Sequence, residues 1–262
     1  MTHPVETTDP IPVLVYHAVE QRLTPDITTV SPTRLHRQLR SWKQQRVTLI
    51  NLEQYIRQQG SQQPDERLLL LTFDDGYASL LSEVIPLLKE FHFPAVVFPV
   101  VGYAGGENDW DPARFGCRRR HLDLSQLAEL SENDIAIGNH SLLHRDSSRL
   151  TITQLAKEWL TAHQRLSDCG LAPVAAAWPF GRTSSAACAT LEEQGYQVAF
   201  SLAAGTGWPW QVPRLTCYRF SRSPLVYEKL LLDYSGKRLL QRFPAECNRL
   251  SVLFQRTRAN NA

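Results

Sequence analysis

Residues 68–77 read L-L-L-L-T-F-D-D-G-Y. Four leucines followed by Thr72 and Phe73 form a short apolar run that ends in turn residues. Such a run fits a strand covered on both faces, as in a parallel sheet. It stops at two adjacent carboxylates, Asp74 and Asp75, and Gly76 then permits a sharp turn. Strand neighbours point to opposite faces, but a chain already turning can bring both carboxylates to one cavity. The carboxyl ends of parallel strands are where α/β proteins build sites. With so apolar a strand beneath it, the pair reads as a site candidate rather than a solvated turn.

Outward from this stretch, strands and helices alternate. Ile11–Tyr16 is rich in β-branched residues and reads as a first strand ending at His17. Ser31 and Pro32 mark a helix start, with Leu35, Leu39 and Trp42 on one face. Val47–Ile50 is a short strand, and Asn51 caps a helix that stops at Gly60. Residues 78–92 form a helix bent at Pro86, and 95–101 a strand. A loop over 102–122 leads to a capping box at Asp123 and Gln126, and a second box sits at Thr151 and Gln154. Strands are expected at 135–138, 174–178, 197–202 and 213–220, and a helix at 184–194. The alternation means a parallel sheet, open or closed into a barrel. The chain reads as one domain over 1–262, with a barrel over about 11–220 and a helical segment over about 223–255.

The composition supports a core, with 43% hydrophobic residues in 262. A net charge of +2 gives no electrostatic case for nucleic acid. Five scattered cysteines without a C-x-x-C argue against a disulfide framework or a cysteine zinc site. The first ten residues lack a basic region and an apolar core, and no apolar run is long enough to span a bilayer. The expected location is therefore the cytoplasm; the oligomeric state is not written in the sequence.

Two more strand ends carry chemistry. His140-Ser-Leu-Leu-His144 places two imidazoles one helical turn apart or across a tight loop, which suits a transition metal. With one carboxylate they make the donor set of hydrolytic zinc sites, which leaves positions open for water and substrate. The absence of H-E-x-x-H disfavours a zincin protease. Trp178-Pro179-Phe180-Gly181 either packs or presents a backbone N–H to an oxyanion and aromatic faces to a sugar.

T-F-D-D-G (72–76), H-S-x-x-H (140–144) and W-P-F-G (178–181), in that order, resemble the signature of the polysaccharide deacetylases. This is the NodB-homology group, carbohydrate esterase family four. The opening I-P-V-L-V-Y-H-A-V resembles its poly-N-acetylglucosamine deacetylase branch. The resemblance implies a distorted (β/α) barrel of about seven parallel strands, a divalent metal, usually zinc, and hydrolysis of an N-acetyl group on an amino sugar. Asp75, His140 and His144 match the metal ligands. Asp74 matches the base that activates water, and the Phe180 N–H matches the oxyanion donor. Many members carry an Arg before the Pro-aromatic-Gly turn; here Ala176, Ala177 and Trp178 stand in that region. Arg214 either replaces it by pairing with Asp74 or makes a surface salt bridge. The late strand P-R-L-T-C-Y-R-F has no histidine. His17 fits the acid position of the poly-N-acetylglucosamine branch, with His121 as the next candidate.

The remaining features are two-sided. Trp110 and Asp111 either line a sugar groove or pin their loop. Trp178 and Pro179 belong to the same candidate substrate surface, and Trp208 and Trp210 either stack on sugar rings or pack in the core. Arg118, Arg119, Arg120 and His121 either bind a phosphate on a lipid- or nucleotide-linked sugar or are a solvated charge run. The expected function is a metal-dependent carbohydrate N-deacetylase acting on a glycan. Its rivals are a related amidase on a small non-sugar amide and a non-catalytic glycan binder. A binder has no need of Asp74.

Overall fold

The computed structural model describes residues 11–22, 26–58, 66–110, 118–202 and 209–219. Strand β3 (Leu68–Asp75) is buried at every position and forms the spine of the sheet. On one side it pairs in parallel with β1 (Val13–Tyr16), and on the other with β4 (Ala95–Pro99). The short β2 (Thr48–Leu49) lies against its first residues. β4 pairs with β5 (Ile135–Ile137), and β1 with β9 (Leu215–Thr216). A second sheet runs β6 (Ala175–Ala177), β7 (Val198–Ser201), β8 (Val212–Pro213).

Two short contacts join these sheets into a distorted barrel. Beyond β5, Asn139 bridges to Ala176 of β6: its N–H donates to the Ala175 carbonyl (3.0 Å), and the Ala177 N–H donates to its own (2.9 Å). At the opposite seam, β8 and β9 are consecutive, separated by Arg214 alone. The Arg214 N–H bonds Ser201 on one side, and the Cys217 N–H bonds Val15 on the other. Among the described residues, seven parallel strand positions thus follow one another across two sheets in the arrangement of the distorted (β/α) barrel that the resemblance implies.

Strand parity decides where the core sits. Leu69, Leu71 and Phe73 pack outward under the helices, in one cluster with Leu35, Leu39, Trp42, Val84 and Leu88. Leu68 and Leu70 point into the barrel, against Val13, Val96, Phe98 and Phe200. By the same parity, Thr72 and Asp74 face the interior.

The helices start where the caps place them. In α1 (Pro32–Gln44) the Ser31 hydroxyl accepts from the Arg34 N–H. Reciprocal capping boxes open α2 (Leu52–Arg57) from Asn51, α4 (Leu124–Ser131) from Asp123 and α5 (Ile152–Ser167) from Thr151. α6 (Ser185–Glu193) connects β6 to β7. Two expectations need correction. The helix over 78–92 is a π-helical turn, Leu80–Val84, running into α3 (Ile85–Phe91). Pro86 stands in the first turn of α3, immediately after the π turn. The strand over 213–220 is the interrupted pair β8 and β9. Gly60 and the segment 223–255 lie outside the described residues. No described helix is long and apolar enough to cross a membrane.

Candidate metal and catalytic site

Parity alone would send Asp74 inward and Asp75 outward. A left-handed backbone at Asp75 (φ 68°), followed by Gly76 (φ 72°), turns the second carboxylate back to the same cavity. Both are buried. A Cβ at position 76 would also stand 2.9 Å from the Pro99 Cα, so glycine is required for space as well as for conformation.

Facing them is the turn after β5. The Asn139 side-chain carbonyl accepts from the Ser141 N–H (2.9 Å), and the Ser141 hydroxyl from the His144 N–H (3.1 Å). Ser141 and His144 are both left-handed, at φ 68° and 56°. Buried Glu158 on α5 reaches back to accept the Leu143 N–H (2.8 Å), so a helix fixes the loop from behind. His140 donates from Nδ1 to the Ala177 carbonyl (2.8 Å). A carbonyl only accepts, so this bond leaves His140 Nε2 with its lone pair.

The Asp75 Oδ1 lies 3.8 Å from His140 Nε2 and 3.7 Å from His144 Nε2. The ligand atoms of the three residues lie within 4.8 Å of one another. Tetrahedral ligands at ~2.0–2.1 Å from zinc stand roughly 3.3–3.4 Å apart, so these atoms fit around an ion with a small contraction. The buried Asp75 Oδ1 has no hydrogen-bond partner among the described residues, as a metal-facing oxygen requires. Burial, then His140, push the His144 imidazole down to about 3, so it stands neutral and able to ligate.

Asp74 stands beside this set, with Oδ2 3.9 Å from His140 Nε2. Arg214 grips it with two parallel bonds, Nη1 to Oδ1 and Nη2 to Oδ2, each 2.7 Å. Nη1 also reaches the Thr72 hydroxyl at 3.2 Å, and the guanidinium lies over the Phe98 and Phe200 rings. Arg214 is buried, so of its two readings the surface salt bridge is excluded. Burial alone would raise the Asp74 carboxyl, but Arg214 above all, with His140, overrides it and holds the group at about 2.

Phe180 has a left-handed backbone (φ 58°) in the turn Pro179–Gly181, and its ring meets His144 edge-on at 4.7 Å. The bonds of that turn run from Gly181 and Arg182, leaving the Phe180 N–H outside them. His17, at the end of β1, lies near enough to act electrostatically on Asp74, Asp75 and His144. Its Nδ1 is buried with no hydrogen-bond partner among the described residues.

The candidate substrate surface is corrected. Trp178 is fully buried, donates to the Trp210 carbonyl (2.8 Å) and packs edge-on against Trp159. Pro179 is buried as well, so neither presents a face to a sugar. Trp110 is almost buried, stacked on the His144 imidazole at 4.8 Å and touching Tyr103 and His121. It adjoins the donor set. Asp111 and Trp208 lie outside the described residues. Of the basic run, Arg118 and Arg120 are exposed, while Arg119 turns inward to Glu20 and Asp26. The run is therefore no phosphate cluster. His121 is buried, its Nδ1 donating to the Asp75 carbonyl at 2.9 Å. The loop-holding roles of Asn139, Ser141 and Glu158 are not readable from the sequence, where Ser141 stands only as part of the H-S-x-x-H motif. Of these, Asn139 and Ser141 carried a signal, being polar residues that flank His140.

A family model described as polysaccharide deacetylase matches residues 61–199, more than half of the chain. The poly-beta-1,6-N-acetyl-D-glucosamine N-deacetylase of Escherichia coli (strain K12) is 25% identical over 195 residues, covering 62% of this chain and 29% of that protein. The chain spans less than half the length of the curated relatives it matches. Among solved structures, the Streptococcus pyogenes deacetylase PplD in complex with acetate superposes with a TM-score of 0.72 at 20% identity, covering 88% of this chain and 100% of that one. IcaB from Ammonifex degensii gives 0.69 at 22% identity, covering 87% and 98%. At such identities the structural likeness establishes the fold alone.

Proposed function

The chain belongs to the polysaccharide deacetylase family, and from that premise we propose that it hydrolyses N-acetyl groups on amino sugars of a polysaccharide or glycan precursor. The observation that carries this reading is the pairing of a compact Asp75–His140–His144 donor set with Asp74, a second buried carboxylate held by Arg214. The name of the Escherichia coli relative supports an N-acetylglucosamine polymer as the substrate class.

Asp75, His140 and His144 would hold a divalent metal, with zinc suited to the two-imidazole, one-carboxylate set. When bound, such an ion polarises the acetyl carbonyl and makes water a stronger acid. Asp74 accepts the proton of the attacking water. Its low pKa keeps it ionised at neutral pH and makes it release that proton readily. Arg214 aims the carboxylate and compensates its burial. The Phe180 N–H donates to the oxygen on which negative charge develops. His17 delivers the proton that the departing amine needs.

The reading of residues 1–262 as one catalytic domain is part of the same proposal. The test is acetate release from N-acetylglucosamine oligomers and polymers by chelator-stripped and zinc-reloaded protein. Release that returns with metal supports the reading. Full activity in rigorously stripped protein overturns the metal role, and release only from small non-sugar amides overturns the substrate class.

A further inference from the structure

Arg119 is a buried charged group that the proposed reaction does not use. Its side chain is 4% exposed. All three guanidinium nitrogens donate to one segment, the connection that follows β1. Nε bonds Glu20 (2.9 Å), Nη1 bonds Asp26 (2.9 Å) and Nη2 bonds the Thr29 hydroxyl (2.7 Å). That segment begins at His17. It closes on itself through Glu20 N–H to the Val30 carbonyl and Val30 N–H to the Ala18 carbonyl. Asp26 also binds the Thr28 N–H (2.9 Å), so its carboxylate is itself fixed.

Two further segments meet at Arg119. Its own backbone is paired with Asn108, through a 2.7 Å bond to the Asn108 side chain and a 3.0 Å bond from the Asn108 N–H. Two residues on, His121 holds the Asp75 carbonyl. The guanidinium also lies over the Tyr77 ring, 5.3 Å from its centroid. Tyr77 closes the turn that carries Asp75. Three segments that carry His17, His121 and Asp75 are therefore gathered on one planar fork. Glu20 and Asp26 lie 99 and 93 residues from it in sequence.

We infer that Arg119 is a positioning residue for the proposed reaction: its guanidinium fixes the separation between His17 and the Asp75 turn. The inference rests on the N-deacetylase reading above for its kinetic consequence, but its structural content does not. A lysine keeps the charge and loses the three-way planar geometry, so Arg119→Lys is the informative substitution. Glu20→Gln, at a partly exposed partner, is the milder companion if Arg119→Lys does not fold.

Two readouts separate positioning from bulk stability. In metal-free protein, amide hydrogen exchange at Glu20 and Val30 should accelerate about tenfold or more in either variant, while the β3 amides keep their protection. On an N-acetylglucosamine oligomer, kcat should fall between about 10- and 100-fold with KM within about twofold, since small misplacements of a reacting group cost that much. In a His17→Ala background the same substitution should cost less than about twofold, because the group being placed is gone. Unchanged exchange at Glu20 and Val30 overturns the inference, as does an equal kinetic loss in both backgrounds. A wild-type chain that releases no acetate overturns the functional reading, and the exchange comparison alone then upholds or overturns the strut.

Discussion

Arg214→Met tests the buried pair at the centre of the site. Methionine keeps much of the side-chain length and removes the fork that Asp74 relies on. Asp74 is 2% exposed, so the substitution leaves a carboxylate in the barrel interior with no cation to compensate it. Breaking a buried pair from one side typically costs about 3–5 kcal/mol. Linkage gives a figure of the same order. The carboxyl sits at about 2 in the folded chain against an ordinary value of 3.8 for an unperturbed aspartate, a difference worth about 2–2.5 kcal/mol. Because the folded pKa is the lower one, this stabilisation is present above the unfolded pKa and is lost as pH falls through about 2. Urea unfolding of chelator-treated protein at pH 7 should therefore show a loss of roughly 2–5 kcal/mol, or about 5–20 °C in Tm. The deficit should shrink as pH approaches the folded pKa. Adding Asp74→Asn should recover part of the loss, since the orphaned charge is then gone. A loss under about 1 kcal/mol, or a double variant no more stable than Arg214→Met, would refute the reasoning.

Three other outcomes follow from the same geometry. Asp75→Asn, His140→Ala and His144→Ala should bind metal much more weakly by elemental analysis, whereas Asp74→Asn should retain it and lose turnover; equal metal loss in all four would mean that the two carboxylates are wrongly divided. His17→Ala should lower kcat by about 10²–10⁴ with metal content intact and flatten the alkaline limb of the pH–rate profile, with a smaller loss on an activated ester; a loss under about tenfold on the amide puts the acid elsewhere. Gly138→Ala should cost about 1–3 kcal/mol in urea unfolding, because its Cβ would stand 2.2 Å from the Phe98 ring and 2.9 Å from the Ala175 carbonyl; wild-type stability there would show that the neighbouring turn yields freely.

What the sequence made legible was local. The capping boxes at Asp123 and Thr151 are satisfied within three residues, so they can be read without knowing the fold. The apolar run before Asp74 needed only the parity and burial of a strand. Residues brought together by topology were hidden. Trp178 reads as a sugar platform until α5 supplies Trp159 to cover it. Arg119 reads as part of a basic run until the segment after β1 brings Glu20 and Asp26 to it. Glu158 reads as an ordinary helix residue, yet it holds the loop between the two histidines. The backbone at Asp75, Ser141, His144 and Phe180 was also hidden. All four are left-handed without being glycine, a conformation disfavoured locally and maintained only by surrounding contacts. Such strain concentrates at functional sites, where local rules fail first.

The placement of Arg214 between β8 and β9 has a consequence for how the molecule matures. The pairing of Leu14 with Leu215 joins the two ends of the ring, nearly the whole described chain apart. Contacts of such sequence separation are slow to form, because the intervening chain must be ordered first. The residue that charges and aims Asp74 arrives with that last-closing segment. A chain caught before closure has its two histidines and both carboxylates but lacks the cation that holds Asp74 ionised and aimed for the base role proposed above. Synthesis, refolding or partial unfolding should then yield an intermediate that binds metal and does not hydrolyse. In refolding from urea, turnover should return with the slowest structural phase and never ahead of it.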